Sequence, residues 1–320
     1  MGAEFGHSTT TDEVISGIHL DGKTAVVTGG SAGLGIESGR VLANAGAEVI
    51  MVGRDAEKLA AAVAGIKADC PGAVVGSELM DLADLASVRA AAGRLLETCP
   101  RIHILLNNAG VMACPLAHTS DGYELQFGTN HLGHFLFTCL LLPSLLAAAP
   151  ARIVNLSSAG HKLGNVDFDD PNYTQREYDK WQAYGQSKTA NVLFSVGLNE
   201  RLASRGVTAN AVHPGMIMTE LGRHLVPADI EMLQARSSDM GSDMESAFKS
   251  IPAGAATSIW ACTSPDLDGQ GGLYLEDCHI AGAVSEDNPA GGVSGYARDP
   301  GAAQRLWELS EQLVGERFAP

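Results

Sequence analysis

The sequence is short of basic residues and has no paired cysteines, and each shortage excludes a class of protein. Only 21 of its 320 residues are Lys or Arg, against 37 Asp or Glu, which gives a formal net charge of −16. Nucleic acids and anionic membrane surfaces are bound through basic patches, so neither is predicted as a partner. The six cysteines are scattered without a C-x-x-C pair. This pattern argues against a zinc site or disulfide framework and predicts reduced thiols in a cytoplasmic protein.

Long hydrophobic runs are also scarce. The most apolar stretch, HLGHFLFTCLLLPSLLAAA at 131–149, contains two His and a Pro. Its unbroken part is shorter than the ~20 residues that a membrane span requires, so we predict a buried helix and no span. His131 and His134 lack a third ligand nearby, and no metal is predicted. No signal segment opens the chain. Residues 1–20 are interpreted as an N-terminal extension whose first eight residues could be a cloning remnant.

The rest of the chain alternates short β-branched runs with helical segments. Strands are predicted at 23–29, 47–53, 73–80, 102–107, 151–157, 207–213 and 271–277. Helices are predicted at 33–46, 55–68, 84–99, 124–149, around Tyr184 and at 252–262. Continuous apolar strands separated by helices indicate a parallel sheet covered on both faces. The predicted fold is α/β, one doubly wound Rossmann-type domain over 21–320 with about seven strands. The Gly- and Pro-rich tail 285–301 is predicted as a surface loop.

The segment TGGSAGLG, at 28–35, joins the first predicted strand to the first predicted helix. Gly29, Gly33 and Gly35 allow a tight turn and a close approach of the backbone to a ligand. The following helix offers free N–H groups and its positive dipole end to a pyrophosphate. A strand before and a helix after form the context in which such a loop binds a dinucleotide.

The end of the second strand, MVGRD, bears on the choice of cofactor. A NAD-specific fold carries an acid at this strand end for the ribose hydroxyls, whereas here the position is Gly53. Arg54 follows, and its guanidinium suits the 2′-phosphate of NADP. The alternative is a surface arginine paired with Asp55, and the glycine loop holds no second basic residue. NADP(H) is therefore favoured over NAD(H).

Tyr184 and Lys188 stand four residues apart in YGQSK, within a segment that has an apolar helical face. Positions i and i+4 share a helix face, so the two side chains should point the same way. A lysine ammonium near a phenol stabilises the phenolate and lowers its pKa from the usual ~10. The alternative is a Tyr and a Lys on a solvated helix face.

Seven motifs in order make the chain resemble the short-chain dehydrogenase/reductase family of the classical type. They are TGGSAGLG at 28, MDL at 80, NNAG at 107, Asn130 in GTNHLGHF, IVNLSS at 153, YGQSK at 184 and HPGMIMT at 213. The resemblance spans about residues 22–280. The segments QFGTNHLGHFLFT and AYGQSKTANVLF look most like the retinol-dehydrogenase-like branch, as does the long gap between Ser158 and Tyr184.

The resemblance implies roles for four catalytic residues. Tyr184 would be the general acid/base, and Lys188 would tune it and bind the nicotinamide ribose. Ser158 would hydrogen-bond the substrate carbonyl, with Ser157 as the neighbouring alternative. Asn130 would hold a water in a proton relay to Lys188, unless its amide caps a helix.

The resemblance also implies a set of cofactor-binding residues. Asp81 would contact the adenine, unless it caps a helix. The complete set is Gly29, Ser31, Gly33, Leu34, Gly35, Arg54, Asp81, Leu82, Asn108, Ala109, Gly110, Tyr184, Lys188, Pro214, Gly215, Ile217 and Thr219.

The segment at about 217–250 corresponds to the family's substrate loop. It follows Met216 directly and contains the apolar residues Met218, Leu221, Leu225, Ile230, Met232, Leu233, Met240, Met244 and Phe248. Methionine adapts to irregular apolar ligands, so a hydrophobic alcohol, aldehyde or ketone is the expected substrate. Packing of these residues onto the core is an equal alternative. The insert 161–181 could add a pocket wall through Phe168, Tyr173 and Trp181.

An NADP-dependent alcohol dehydrogenase or carbonyl reductase is the leading function, with a NAD-dependent dehydrogenase of the same family as an alternative. An isomerase or dehydratase of the extended branch would have the glycine spacing T-G-x-x-G-x-x-G and a larger C-terminal domain. A catalytically silent cofactor sensor would be expected to have lost Tyr184 or Lys188. The resemblance further implies a homodimer or homotetramer paired through helix 124–149 and the Tyr184 helix.

Overall fold

Parallel pairing of seven strands builds the central sheet of the computed structural model, which describes residues 5–239, 248–285 and 291–319. These strands are β1 (Thr24–Thr28), β2 (Glu48–Gly53), β3 (Val75–Leu79), β4 (Ile104–Asn107), β5 (Ala151–Leu156), β6 (Val207–His213) and β9 (Tyr274–Glu276). An antiparallel edge strand, β10 (His279–Ile280), raises the count to eight. The predicted fold class is confirmed, and all seven predicted strands are present.

The order of the strands places the site. Across the sheet they run β10-β9-β6-β5-β4-β1-β2-β3, so the direction of winding reverses between β1 and β4. In open α/β sheets, ligands bind beyond the carboxyl ends of the strands at such a switch point. The segments that follow β1, β4, β5 and β6 carry the glycine loop and the NNAG, NLSS and HPG motifs.

Helices cover both faces of the sheet. One face packs against α1 (Thr11–Ile15), α2 (Gly33–Asn44), α3 (Ala56–Asp69) and α10 (Ile251–Thr263). The other packs against α4 (Leu85–Thr98), α6 (Gly133–Leu140), α7 (Leu142–Ala147), α8 (Lys180–Leu202) and α11 (Pro300–Val314). β1 serves both cores by alternation, because Ala25 and Val27 face the first and Val26 faces the second. None of the described helices is both long and apolar enough to cross a membrane.

The predicted continuous helix 124–149 is wrong in detail. The segment starts with the short α5 (Leu125–Phe127), widens into a π-helical turn at Gly128–Leu132, and continues as α6 and α7. Leu141 separates α6 from α7, and Pro143, which lacks an N–H to continue the ladder, stands at the start of α7. The π turn contains Asn130, and such turns often mark functional positions.

The region after β7 (Met216–Ile217) forms the described part of the substrate loop. It contains a short 3-10 turn at Glu220–His224 and α9 (Pro227–Asp239), and it returns through β8 (Phe248–Lys249), which pairs in parallel with β7. Met240 and Met244 lie outside the described residues.

Segments near both ends of the chain pack into the core, which was not predicted. Residues 5–20, predicted as an extension, place Val14, Ile15 and Leu20 in the core under α10. The prediction of a surface loop at 285–301 is wrong for its described part, because Val293 and Ala297 are buried. α11 follows and lays an apolar stripe over α6 and α8, where the Trp307 and Phe135 rings are 5.1 Å apart. It thereby covers the helices through which pairing was expected.

Trp307→Ala should remove much of the packing between α11 and the core. Loss of a buried aromatic ring typically costs about 3–5 kcal/mol, and we expect a decrease of that size in the free energy of unfolding. Urea titration followed by circular dichroism would measure it, with Glu308→Ala on the exposed side of α11 as the control. A decrease below about 1 kcal/mol would show that α11 contributes little to the fold.

Candidate active site

The glycine loop and the NNAG segment are packed against each other at the switch point. A Cβ on Gly29, whose φ is +69°, would lie 2.8 Å from the Asn108 amide nitrogen and 2.9 Å from Ala109 Cα. A Cβ on Gly35 would collide with the Gly29 carbonyl oxygen. Thr28 Oγ1 accepts the backbone N–H groups of Asn108, at 2.9 Å, and Ala109, at 3.0 Å. The absence of side chains therefore lets two loops close on each other beside the start of α2.

The start of α2 fits a pyrophosphate. Its N-cap residue is Ala32, which makes no side-chain hydrogen bond to the helix, so the first-turn N–H groups are not capped by that residue. Free N–H groups at a helix start bind anionic oxygens. Thr219, from the segment after β6, packs against the loop, since a Cβ on Gly33 would lie 3.2 Å from Thr219 Cγ2. The segments after β1, β4 and β6 thus supply residues to one groove.

Tyr184 and Lys188 are both 4% exposed and lie on the same side of α8, with Lys188 Nζ 5.7 Å from the Tyr184 ring centroid. The alternative of a solvated helix face is wrong. Lys188 Nζ donates to the Leu156 carbonyl oxygen at 3.0 Å. A Cβ on Gly110 would lie 3.6 Å from that nitrogen, so backbone without a side chain passes beside the ammonium group.

The electrostatics differ from the expectation for Tyr184. Burial raises the pKa of Tyr184 to about 12, opposed only by the hydrogen bond to Ser158. Burial also lowers the pKa of Lys188 to about 8. The expected lowering of the phenol pKa by Lys188 is therefore absent, because removal of the phenolate from water dominates.

The geometry separates the two candidate serines. Ser157 Oγ is buried and donates to the Lys188 carbonyl oxygen at 2.9 Å, which is a structural contact. Ser158 Oγ accepts the Gly160 N–H at 3.0 Å and hydrogen-bonds the Tyr184 side chain. A Cβ on Gly160 would lie 2.7 Å from Tyr184 Cε1, so the tyrosine ring rests directly on the turn that follows Ser158.

Asn130 ties three segments together. Its Oδ1 accepts the Val111 N–H at 2.8 Å, and its Nδ2 donates to the Val111 carbonyl and to Ser187 Oγ, each at 2.9 Å. The alternative of a helix-capping amide is therefore wrong, since the side chain joins the π turn to the NNAG segment and to α8. Its backbone oxygen faces His134.

His134 was missed as a site residue. Its Nε2 is 2.9 Å from Thr28 Oγ1 and its Nδ1 is 2.9 Å from the Asn130 carbonyl oxygen. Thr28 Oγ1 already accepts two N–H groups, so its own hydrogen goes to Nε2 and Nδ1–H donates to Asn130. Burial lowers the pKa of His134 to about 4, which agrees with this neutral state. The position of His134 one helical turn after Asn130 was the available sequence signal.

The other histidine of the pair turns away. His131 Nε2 lies 2.7 Å from Ser310 Oγ in α11, and its ring packs against Phe127 and Phe194. The two histidines considered as metal ligands thus serve separate hydrogen bonds.

The adenosine end of the groove contains Gly53, Ser31 and the exposed Arg54. A Cβ on Gly53 would lie 3.5 Å from Ser31 Oγ. Asp55 Oδ1 accepts the Lys58 N–H at 3.0 Å and caps α3. Lys58, which the sequence did not indicate, lines the same cavity as Ser31 and pairs with Glu220 at 3.0 Å.

Asp81 and Leu82 lie between β3 and α4. Asp81 Oδ1 accepts the Ala83 N–H at 2.9 Å, so Asp81 shapes the turn before α4. The alternative that it caps the helix is wrong, because Asp84 is the N-cap. Leu82 is buried.

The segment after β6 reaches both the loop and α10. Gly215 has a φ of +92° and packs beside Lys249. The side chain of Ile217 packs so closely on Gly254 of α10 that no Cβ fits there. Pro214, before them, directly follows β6 at His213.

The predicted aromatic wall of the insert is only partly available. The Phe168 ring is covered by Arg305, at 4.4 Å, and the Tyr173 ring by Arg176, at 3.7 Å. Trp181 stands where α8 meets the substrate loop, and its Nε1 donates to Asp229 Oδ1 at 3.2 Å. In that loop Met218 is 77% exposed.

Comparison with known proteins identifies relatives of this chain. The family model described as short chain dehydrogenase matches residues 23–229. Retinol dehydrogenase 13 of Homo sapiens is 42% identical over 296 residues, covering 92% of this chain and 86% of that protein. Retinol dehydrogenase 12 of Mus musculus is 42% identical over 298 residues, covering 93% and 88%.

Two solved structures extend the comparison. The crystal structure of an uncharacterized protein from Mycobacterium Paratuberculosis aligns with a TM-score of 0.73 and 34% identity, covering 95% of this chain and 98% of that chain. A short chain dehydrogenase from Burkholderia cenocepacia J2315, solved in complex with NADP, aligns with a TM-score of 0.63 and 28% identity, covering 81% and 97%.

Fold, groove and relatives define an NAD(P)-binding oxidoreductase that acts on small alcohols or carbonyl compounds. The chain belongs to the short-chain dehydrogenase/reductase family, in its retinol-dehydrogenase-like branch. The resemblance stated from the seven motifs is confirmed.

The buried histidines predict sensitivity of the fold to acid. Burial lowers the pKa of His134 and His161 to about 4 and that of His131 and His213 to about 3. Each folded-state pKa lies below the ordinary ~6.5, so the unfolded chain takes up protons first as the pH falls. The stability these groups contribute is complete above about pH 6.5 and is lost towards about pH 4. Urea titrations from pH 7.5 to 5 should show a steadily decreasing free energy of unfolding; a constant value would contradict the neutral buried state.

Proposed function

We propose that the protein is an NADP-dependent oxidoreductase that transfers a hydride between the nicotinamide and a hydrophobic alcohol, aldehyde or ketone. One observation carries the catalytic part of this proposal: the Ser158 hydroxyl hydrogen-bonds Tyr184 while Lys188 lies buried on the same side of α8. When bound, the nicotinamide supplies the hydride chemistry. The residues of the chain supply the proton and the hydrogen bonds.

Tyr184 is the proposed proton donor and acceptor. With a pKa near 12 in the protein alone, its phenol holds a proton at neutral pH. A protonated phenol is the form that delivers a proton to a carbonyl oxygen, and Tyr184 is proposed to do so when a carbonyl compound is reduced. Ser158 Oγ, whose lone pair already accepts from Gly160, has its O–H available for the same substrate oxygen.

Lys188 and Asn130 are proposed to serve the cofactor and the proton supply. Lys188 Nζ uses one hydrogen on the Leu156 carbonyl, and its other two remain for the nicotinamide ribose. The Asn130 carbonyl, which accepts from His134 Nδ1, is the proposed attachment point for the water of a relay to Lys188.

The preference for NADP rests on charge at the adenosine end. Gly53 places no acid near the ribose, and Arg54 and Lys58 bring two cations to that end of the groove. Lys58 and Glu220 form an exposed ion pair, and such a pair contributes little stability. A 2′-phosphate would therefore compete with Glu220 for Lys58. The NADP complex of the Burkholderia cenocepacia relative is consistent with this preference.

The hydrophobic substrate is proposed from the loop and the relatives. The described loop exposes Met218, Val226 and Ile230 on its surface. The relatives at 42% identity are named retinol dehydrogenases, and retinol is a long apolar alcohol.

We also propose an oligomeric assembly and a cytoplasmic location. A homodimer or homotetramer remains the prediction, and pairing through α6 and α8 would have to include the outer side of α11, which lies over them. Cytoplasmic location is proposed from the cysteines, all six of which are free and buried.

The proposed function predicts oxidation of NADPH, followed at 340 nm, with a panel of aromatic, terpenoid, steroid and retinoid aldehydes and ketones. Tyr184→Phe should lower kcat on the best substrate by about 10²–10⁴, the usual contribution of a general acid. Its Kd for NADPH, measured by protein fluorescence, should stay within about twofold, because the ring is kept.

Two results would contradict this assignment. Full turnover by Tyr184→Phe would remove the tyrosine from the chemistry. Binding of NADPH without turnover of any compound in either direction would favour the cofactor sensor over the enzyme.

Arg54→Ala should raise the KM for NADPH by about tenfold or more, since a charge-assisted contact to phosphate is worth about 1.5–3 kcal/mol. The KM for NADH should change little. Gly53→Asp should reverse the preference by placing a carboxylate beside the 2′ position. Arg205→Ala, exposed at the far end of α8, is the matched control. Equal effects of Arg54→Ala on both cofactors would remove Arg54 from the 2′-phosphate site.

A further inference from the structure

Residues 291–298, called here the C-terminal strap, close over the turn that follows Ser158. This turn is the 3-10 segment Ala159–Leu163. Glu276 Oε1 accepts the Gly292 N–H at 2.8 Å, and the Gly282 carbonyl accepts the Val293 N–H at 2.9 Å. Within the strap, Val293 and Ala297 are buried. The strap is therefore a fixed part of the wall behind Ser158.

His161 joins the strap to the serine. Its side chain is fully buried, with Nδ1 2.8 Å from the Ser158 carbonyl oxygen and Nε2 3.1 Å from the Ser294 backbone nitrogen. A carbonyl oxygen can only accept and a backbone N–H can only donate. The ring is therefore neutral, with its proton on Nδ1. The ring also packs on Tyr274, with centroids 5.0 Å apart.

The backbone of His161 adds further contacts in the same place. Its N–H donates to the Ser158 carbonyl at 3.0 Å, so that oxygen receives two hydrogen bonds from one residue. Its own carbonyl accepts from Tyr296 of the strap, at 2.8 Å, and from Thr189, at 3.0 Å. Thr189 directly follows Lys188. One residue thus connects the strap, the serine and the helix that carries Tyr184.

We propose that His161 is a positioning residue that, held by the C-terminal strap, sets the position of Ser158 against Tyr184. This inference rests on the proposed role of Ser158. The peptide oxygen of Ser158 is fixed by His161 on one side, and Oγ is fixed by the Gly160 N–H on the other. Loss of the side-chain contact leaves the Ser158 carbonyl with only the His161 backbone N–H, which loosens the hold on Ser158 beside Tyr184.

The test compares two substitutions at His161. His161→Asn keeps an amide donor at the Nδ1 position, and His161→Gln keeps an acceptor at the Nε2 position. We expect His161→Gln to lower kcat by about tenfold or more and His161→Asn by about threefold or less, because a small displacement of a catalytic group has large effects on rate. The Kd for NADPH should stay within about twofold in both. His19→Gln, exposed ahead of β1, is the control.

A double-mutant cycle with Ser158→Ala separates positioning from general damage. If His161 acts through Ser158, His161→Gln should change kcat by less than about twofold when Ser158 is already absent. A full additional loss in that background, or a parallel loss of NADPH binding, would overturn the proposal.

Nitrogen NMR of the unmodified protein at pH 7 tests the geometry without turnover or variants. We expect a neutral ring with a protonated Nδ1 and a hydrogen-bonded, unprotonated Nε2. A proton on Nε2 would overturn the proposal. Absence of carbonyl reduction in the unmodified protein would instead count against the proposed function, and the NMR result would still decide the contact of His161 with the strap.

Discussion

The burial of Lys188 is the constraint on which the rest of the site depends. A cation removed from water is costly unless oxygen atoms replace the lost hydration. The Leu156 carbonyl is such an oxygen, and it comes from the end of β5, so the ammonium group can be held only when sheet and helix are assembled. Asn191, one turn further along α8, donates to the same carbonyl at 2.9 Å. The depressed pKa of Lys188 shows that this compensation is incomplete, which leaves the amine ready to bind further oxygen atoms.

The same constraint explains why α8 lacks a polar face. Its residues from Ala183 to Leu198 are buried almost without exception, so its polar side chains must find partners inside the protein. Ser187 donates to the Tyr184 carbonyl, Ser195 to the Asn191 carbonyl, and Thr189 to the carbonyls of the turn after Ser158. Neutral histidines then join these helical contacts to neighbouring segments: His134 reaches the glycine loop and His161 reaches the C-terminal strap. Each ring has one protonated and one unprotonated nitrogen, so it can bridge a donor and an acceptor that no single amide could span.

The sequence predicted the sheet well because its information is local. The buried parallel strands are continuous apolar runs that alternate with helices in the sequence. All seven could therefore be predicted from periodicity. The shared orientation of Tyr184 and Lys188 could also be predicted, because residues four apart lie on the same face of a helix. The π turn at Gly128–Leu132, the strap and the role of His161 did not follow. They depend on contacts across more than 100 positions, such as Ser294 with His161, and composition there indicated only a Gly- and Pro-rich surface loop. The apolar stripe of α11, with Ala303, Leu306, Trp307, Ser310 and Val314, was present in the sequence and could have been found.

The direction of the tyrosine pKa gives the site its chemical bias. Spacing alone predicted a phenol made more acidic by a nearby ammonium group, yet burial outweighs this attraction and raises the pKa to about 12. The ammonium group lies 5.7 Å from the ring centroid, and its own burial has already weakened its hold on a proton. Burial therefore keeps the phenol neutral, whereas Lys188, with a pKa of about 8, is still largely protonated at neutral pH. In the proposed mechanism, a phenol that stays protonated at neutral pH is the proton donor for a carbonyl oxygen.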